Sequence, residues 1–364
     1  MTLDIGLLAQ LSLAAAPSGE ERAVAALLRE AFAQAGLSVQ VDRAGNLSAR
    51  VAGRDPRLPV SAVLAHMDEV GLVVRRVEPD GFLRVVRIGG IGRRSLAARQ
   101  VQVLGAKGLV PGVLGVRAHH LTDPSEAQTI PPVEQAYVDV GARSAAEVTD
   151  LGITVGTKIV FDAPFRRLAN DRVSGKAMDN RALCLVLVEL ARIFAAAPPP
   201  GDVILVGTVR EEFNLRGAVS AIAALRPDLA LVLDVTPAGD TPDLAGANEV
   251  RIGGGPAVKH FDFHGRGPLM GYIAPPGLPE LLHAAGAAIG IATQREAMIG
   301  LVTDAAEMAS MPDAPVVACL SVPVRYTHAP IELMALDDLS ALIGLSEHVL
   351  RTLPRDAGIF AAPW

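Results

Sequence analysis

The sequence has no block of basic residues and no long uninterrupted hydrophobic run. Its formal net charge is −6, and this charge without a basic block argues against nucleic acid or an anionic membrane surface as the main partner. The most apolar segment, residues 181–197, contains Glu189 and Arg192, so no membrane span is predicted. Residues 1–6 lack the basic and apolar regions of a secretory signal, which favours a cytoplasmic location.

Cysteine is also scarce. Cys184 and Cys319 fall in a helix-like and a strand-like run, which is typical of buried free thiols in a reducing compartment. Apolar residues, in contrast, are abundant, because 50% of the 364 residues are hydrophobic and 20% are charged. This composition predicts a globular protein with at least one large core and two domains.

Helical and strand-like patterns alternate in two parts of the chain. Residues 20–35 have apolar side chains at helical spacing, and residues 39–42 and 46–51 alternate like the strands of a hairpin. Residues 183–193 predict a helix that stops at Pro198, since proline cannot continue it. A strand at 203–206, a helix at 216–225 and a strand at 230–233 follow. The alternation predicts an α/β fold with a mostly parallel sheet covered by helices.

Residues 70–165 have a different pattern. Short β-branched runs are separated by glycine turns, with almost no helical periodicity. Because the strand-plus-helix pattern resumes only afterwards, we expect a small all-β barrel domain inserted into an α/β domain. The predicted domains are therefore residues 1–69 together with 166–364, and residues 70–165.

Several strand-like runs lead into acidic residues or histidine. These residues are Glu211 and Glu212 after the strand at 203–206, His66 and Asp68 after the run at 58–65, Asp234 after 230–233, and His328 beyond the run at 316–320. Buried carboxylates are costly unless a cation or a proton compensates their charge. Since ligands bind beyond the carboxyl ends of the strands in open α/β sheets, we expect one shared site.

The residue types favour metal ions at this site. Asp179 lies at a predicted helix start that could face the same crevice. Two imidazoles and three or four carboxylates, without a thiolate, suit a pair of zinc, cobalt or manganese ions, and a bridging carboxylate would hold them roughly 3.5–4 Å apart.

Each residue taken singly also fits an ordinary structural role. Asp179 could be a helix N-cap, Asp68 and Asp234 could close turns, and His66 could be a core histidine. Glu211 and Glu212 are harder to explain in this way, because successive strand residues point to opposite sides and one is expected to face inward.

Five motifs in order resemble the tetrahedral (TET-type) di-metal aminopeptidases of peptidase clan MH, which include glutamyl aminopeptidases and so-called endoglucanases. They are residues 65–71 (AHMDEVG), 177–181 (AMDNR), 207–212 (GTVREE) with 215–218 (LRGA), Asp234 with 238–242 (AGDTP), and 325–328 (RYTH). The resemblance covers nearly the whole chain. It implies a di-metal peptidase domain interrupted by a PDZ-like dimerisation domain, and a hollow dodecamer built from dimers.

The same resemblance implies two divalent metal ions per subunit, with zinc or cobalt favoured and manganese as a third option. By the family pattern Asp179 bridges the ions, His66 and Asp234 complete one site, and Glu212 and His328 complete the other.

The resemblance also implies the catalytic residues. Glu211 would be the general base in the hydrolysis of short peptides from their N-terminus, and Asp68 would orient His66, as carboxylates commonly do for metal-bound histidine. Metal coordination lowers the pKa of a water molecule, Glu211 takes its proton, and the leaving amine receives that proton.

Two segments depart from the family pattern. Residues 298–304 read MIGLVTD where a glycine-rich run usually precedes Thr-Asp, and Phe213-Asn214 replace the usual Val-Gly. We expect the first segment to affect substrate preference, and the second to affect the backbone beside the metals.

Three other functions are weighed against the aminopeptidase. Related di-metal enzymes remove acyl groups from N-acyl amino acids, and a non-catalytic relative would keep the metals for structure. A glycosidase needs two opposed carboxylates and no metal, which leaves His66 and His328 without a role.

Overall fold

The computed structural model describes residues 3–125, 129–244, 246, 248–265, 269–353 and 359. The helices of this part are α1 (Ile5–Leu13), α2 (Arg22–Gln34), α3 (Ala145–Asp150), α4 (Met178–Ala196), α5 (Glu211–Asn214), α6 (Arg216–Leu225), α7 (Leu278–Ala288), α8 (Asp304–Met308) and α9 (Leu336–Thr352). The predicted helices at 20–35, 183–193 and 216–225 correspond to α2, α4 and α6.

Strands occur at the predicted positions 39–42, 46–51, 58–65, 203–206, 230–233 and 316–320, and the sequence patterns did not predict others, such as those at 257–263 and 294–299. The strands of the described residues are β1 (Val39–Val41), β2 (Leu47–Val51), β3 (Ser61–His66), β4 (Gly71–Val77), β5 (Leu83–Ile88), β6 (Gln100–Gly105), β7 (Gly108–Leu114), β8 (Tyr137–Asp139), β9 (Lys158–Phe161), β10 (Arg166–Leu168), β11 (Arg172–Gly175), β12 (Val203–Thr208), β13 (Leu229–Pro237), β14 (Ala257–Phe263), β15 (Gly271–Ile273), β16 (Gln294–Ile299), β17 (Val316–Arg325) and β18 (Glu332–Ala335).

A mixed sheet of 12 strands forms the larger part of the molecule. Its central strands lie in the order β12-β3-β13-β17 and are parallel. Strands β1, β2, β18, β11 and β10 extend the two ends by antiparallel pairing. The prediction of a mostly parallel sheet therefore holds for the centre and is wrong for the edges. Three of these antiparallel pairs, β1–β2, β10–β11 and β17–β18, are joined by short connections, and a short connection between neighbouring strands permits only antiparallel pairing.

Helices cover both faces of the central sheet. Along β3 the side chains of Val63 and Ala65 belong to the core beneath α1, α2, α4 and α9, whereas Ala62 and Leu64 pack with α6 and α8 on the opposite face. Alternate residues of a strand point to opposite faces, and here both faces are buried. This arrangement explains why the central strands are continuous apolar runs.

Residues between β3 and β10 form the predicted barrel. Six strands close in the order β4-β5-β8-β7-β6-β9, and their inward side chains make a second hydrophobic core, separate from that of the sheet. The closed barrel confirms the prediction of a β-barrel for this region, which also contains the short helix α3.

No helix in the described ranges is long and apolar enough to cross a membrane.

Candidate active site

The candidate residues lie along one edge of the central sheet, namely the edge formed by the carboxyl ends of its parallel strands. His66 is the last residue of β3, Glu211 and Glu212 follow β12, and His328 follows β17. Since β3, β12, β13 and β17 are parallel, their carboxyl ends meet at this edge. The structure thus brings together side chains that are far apart in the sequence.

Asp234 lies inside a strand, and the prediction that its strand ends there is wrong. Strand β13 continues to Pro237 because it pairs with β17 beyond the end of β3. Its pairing with β3 stops at Val232, which lies opposite Leu64. Continued by two residues, this register places Asp234 level with His66, the last residue of β3. The side chain can therefore face His66, whose Nε2 is 3.8 Å from Asp234 Oδ1.

Asp179 lies between the two histidines. Its Oδ1 is 3.1 Å from His66 Nε2, and its Oδ2 is 3.3 Å from His328 Nε2. The backbone at Asp179 (φ −74°, ψ 102°) is not helical although the residue lies in the first turn of α4. Because both of its carboxylate oxygens face the histidines, the side chain of Asp179 is directed into the site and does not act as an ordinary N-cap.

Glu211 contributes a carboxylate next to His66, and Glu212 contributes one next to His328. Glu212 Oε1 lies 3.2 Å from His328 Nε2, and Glu211 Oε2 lies 3.9 Å from His66 Nε2. Ligand atoms of His66, Glu211 and Asp234 all lie within 4.8 Å of one another, and so do those of His66, Asp179 and Glu212. Each of these groups has the size of a metal site.

The argument from strand alternation is wrong for the two glutamates. Strand β12 ends at Thr208, Arg210 has a positive φ of 60°, and Glu211 begins the one-turn helix α5. Because adjacent residues of a helix are only about 100° apart around its axis, both carboxylates can face the histidines.

Asp68 supports this helix and His66 together. Its buried carboxylate accepts the backbone N–H groups of Glu211 and Glu212 at 3.0 and 3.1 Å, and the hydroxyl of Ser18 at 2.6 Å. Nδ1 of His66 lies 3.2 Å from the main-chain oxygen of Asp68 and 3.5 Å from its carboxylate. Sequence reasoning anticipated the contact with His66 but missed the capping of α5.

The crowding of carboxylates shifts the pKa values. Burial raises the pKa of Glu211 well above its usual range, and the neighbouring Asp234 raises it further. Burial also raises the pKa of Asp234. For His66, burial opposes protonation, but Glu211 and Asp179 outweigh it and raise the pKa of the imidazole well above its usual value. A bound cation would relieve the repulsion among these acidic groups.

Glu332 is a residue that the sequence reasoning missed. Its buried carboxylate accepts the N–H of Asp179 at 2.9 Å and the N–H of His328 at 2.8 Å. Burial, with the charge of Asp179 nearby, raises the pKa of Glu332 to about 8. Its only sequence signal is an acidic residue at the start of the short strand β18, which pattern analysis cannot distinguish from a solvent-facing position.

A buried ion cluster next to the site was also missed. The carboxylate of Glu69 accepts two hydrogen bonds from Lys176 Nζ at 2.7 Å and one from Arg181 Nη2 at 3.2 Å. Arg181 is fully buried and also donates to the main-chain oxygens of Leu11, Ala14 and Ala16. This cluster fixes the segments that carry His66 and Asp179 to the N-terminal segment.

The two segments that depart from the family pattern, residues 298–304 and Phe213-Asn214, lie near or on α5 and β12. Phe213 is 66% exposed on α5, and Ile299 is 76% exposed at the end of β16. Asp304 begins α8, accepts the hydroxyl of Thr208 at 2.9 Å, and has its pKa raised to about 7 by burial. An effect of these segments on the substrate stays a prediction.

Comparison with known proteins gives a consistent assignment. The profile of the M42 glutamyl aminopeptidase family matches residues 45–345. The chain is 39% identical over 328 residues to the putative aminopeptidase SgcX of Escherichia coli K12, covering 90% of this chain and 88% of that protein.

Two solved structures extend the comparison to the fold. The aminopeptidase APDkam598 from the archaeon Desulfurococcus kamchatkensis is 34% identical with a TM-score of 0.89, covering 96% of this chain and 94% of that one. The TET1 peptidase of Pyrococcus horikoshii, described as assembling into a tetrahedron or a large octahedral shell, is 27% identical with a TM-score of 0.84, covering 96% and 99%. The chain belongs to the M42 family of glutamyl aminopeptidases.

Proposed function

We propose that this aminopeptidase removes N-terminal residues from short peptides with the help of two divalent metal ions. The observation that carries the proposal is the position of Asp179, whose two carboxylate oxygens face His66 and His328 respectively. A carboxylate placed in this way can bridge two cations. Asp234 would complete the side of His66, and Glu212 the side of His328.

The donor set fits zinc, cobalt or manganese. It consists of imidazole nitrogens and carboxylate oxygens, which these borderline ions accept. The nearest thiol, Cys184, donates to the main-chain oxygen of His66 at 3.2 Å and is therefore directed to the backbone. Asp68 lies on the Nδ1 side of His66, so Nε2 is free to act as a ligand, which is the usual second-sphere arrangement for a metal-bound histidine.

When bound, the metal ions would supply a polarised carbonyl and a more acidic water molecule. Glu211 acts as the general base. Its carboxylate is buried beside His66 and Asp234, and its pKa is raised by burial, as is usual for a base that works near neutral pH. It takes a proton from the attacking water and delivers it to the leaving amine. Asp68 holds the start of α5 in place, so that Glu211 keeps its position during both proton transfers.

We further propose that the protein is a homo-oligomer, namely a dodecamer built from dimers. The inserted PDZ-like region, residues 70–165, would be the dimerisation domain, and residues 1–69 with 166–364 the catalytic domain. The dodecameric and shell-like assemblies described for TET1 peptidases support this proposal. Exposed apolar side chains on the barrel, such as Leu109 and Val113, are consistent with a contact surface there. The two buried free thiols, Cys184 and Cys319, fit a cytoplasmic protein.

A single assay tests the activity and its metal dependence. The protein is stripped with a chelator, reloaded with zinc, cobalt or manganese, and offered aminoacyl anilides with a free amine beside their N-acetylated counterparts. We expect cleavage of only the free-amine set, restored by metal. Cleavage of only the acetylated set would identify a deacylase of N-acyl amino acids, and absence of bound metal at saturating cobalt would overturn the di-metal proposal.

A further inference from the structure

The inserted barrel contacts the candidate metal ligands directly. After β5 ends at Ile88, residues Gly89 and Gly90 run against the side of the site formed by Glu212 and His328. A Cβ atom at Gly89 would lie 3.2 Å from Glu212 Oε2, and a Cβ atom at Gly90 would lie 2.7 Å from Nδ1 and 3.2 Å from Cε1 of His328. The barrel turn is therefore a wall of the site.

The two glycines are required for different reasons. Gly89 has a positive φ of 79°, so a side chain there would strain the backbone wherever it pointed. Gly90 does not have a positive φ. Its backbone conformation permits alanine, and only the lack of space beside the His328 ring excludes a side chain.

The position of the His328 ring depends on this barrel turn more than the positions of the other candidate ligands do. Its side chain is 32% exposed, compared with 2% for His66 and 5% for Glu212. It lies on a turn with a positive φ of 60°, and its backbone N–H is held by Glu332. Nε2 faces Asp179 and Glu212, while the Nδ1 edge of the ring packs against Gly90. A displaced ring would carry Nε2 away from both carboxylates.

We propose that Gly90 is a positioning residue: by having no side chain, it lets the barrel turn close on the His328 ring and hold Nε2 towards the metal ion on that side. This role rests on the proposed function, since it presumes that His328 binds metal. Through Gly90, the inserted barrel takes part in the site directly. The way in which the barrel packs against the sheet domain therefore affects metal affinity.

The test compares Gly90→Ala with Gly92→Ala. Gly92 has a φ of −68°, and a Cβ there would meet only Ser95 Oγ at 3.8 Å, so this variant adds the same methyl group two residues away without a clash. Metal-free protein is titrated with Co²⁺ and followed by its visible absorption, with no substrate present. We expect wild type and Gly92→Ala to bind two ions alike. In Gly90→Ala one of the two is expected to bind about 10- to 100-fold more weakly, as is common when the outer partner of a ligand is changed.

A double variant separates a local clash from general loss of structure. In His328→Ala the ring is absent, so adding Gly90→Ala should lower neither Co²⁺ affinity nor the unfolding midpoint any further. Equal affinities for Gly90→Ala and wild type would overturn the positioning role, as would an undiminished effect of Gly90→Ala in the His328→Ala background. Wild-type protein that takes up no Co²⁺ would instead overturn the di-metal function itself.

Discussion

Single residues at this end of the sheet combine charge with burial, and a cation or a proton compensates that charge. Asp179 illustrates this, because burial opposes ionisation and yet both imidazoles lower the pKa of its carboxyl. Glu211 has the opposite balance, since burial and the acidic neighbours raise its pKa. Asp179 and Glu211 thus have different proton affinities in one crevice. The raised pKa of Glu211 fits a role in proton transfer, and it is shared by Asp234 and Glu212.

Replacing Glu211 tests this assignment. We expect Glu211→Gln to lower kcat by about 10²- to 10⁴-fold, the usual contribution of a general base, and to leave two bound metal ions. Peptide turnover and metal content are measured on the same preparation, with the partly exposed Glu147→Gln as a control that changes neither. Loss of a metal ion would instead identify Glu211 as a ligand, which its grouping with His66 and Asp234 also permits.

Replacing Glu332 tests the support behind the ligands. In Glu332→Gln one acceptor oxygen becomes an amide donor, so the N–H of either Asp179 or His328 loses its partner. We expect the free energy of unfolding to fall by about 1–3 kcal/mol, the cost of leaving such a group unsatisfied. Urea unfolding of metal-free protein measures it. The partly exposed Glu347→Gln serves as the control and should change stability by less than about 0.5 kcal/mol.

At the scale of secondary-structure elements, the short helix α5 depends on contacts from elsewhere in the chain. It has only four residues, too few to be stable alone. The carboxylate of Asp68 accepts its first N–H groups, and Ser18 donates to that carboxylate. Because α5 carries both Glu211 and Glu212, its cap also determines where these side chains lie.

Asp68→Asn should therefore affect stability and metal binding together. We expect a loss of about 0.5–2 kcal/mol in the free energy of unfolding, the usual range for a lost cap, and about 10- to 100-fold weaker metal binding. Asp338→Asn is the matched control. Asp338 lies on α9, and its carboxylate also accepts two backbone N–H groups, those of Gly253 and Gly255. It should lose comparable stability but keep wild-type metal affinity. Equal metal affinity in both variants would contradict the role of Asp68.

At the scale of the whole molecule, the site lies where the parts of the fold meet. His66 and Asp68 lie just before the barrel in the sequence, Asp179 lies after it, and the Gly90 turn returns from the barrel to His328. A metal ion bound here would link β3, α4 and β17, so its binding energy should contribute to the stability of the sheet domain.

Metal removal should therefore lower the stability of the folded protein. At a metal concentration about 100 times its dissociation constant, each ion that binds only the folded state stabilises it by about 2.7 kcal/mol. We expect a chelator to lower the unfolding temperature, and added zinc or cobalt to restore it. In Asp179→Asn this metal-dependent shift should be absent or much reduced. An unchanged unfolding temperature on chelation of the wild-type protein would contradict this prediction.

The sequence by itself determined the layered α/β class, the separate all-β region and the residue types of the candidate site. Apolar periodicity fixes which segments become helices or strands, because each must bury a face, and strand ends mark where polar side chains gather. The motifs around His66, Asp179 and Glu211 indicated the family before any geometry was known.

Only the tertiary structure decided how these pieces fit. The antiparallel edges of the sheet, the extension of β13 past Asp234, and the support of His328 by Glu332 and Gly90 all depend on contacts between distant segments. Local pattern reports which face of an element is buried but not what covers it. The role of Gly90 is the clearest case, because a glycine in a turn has no sequence signal that tells which side chain lies against it.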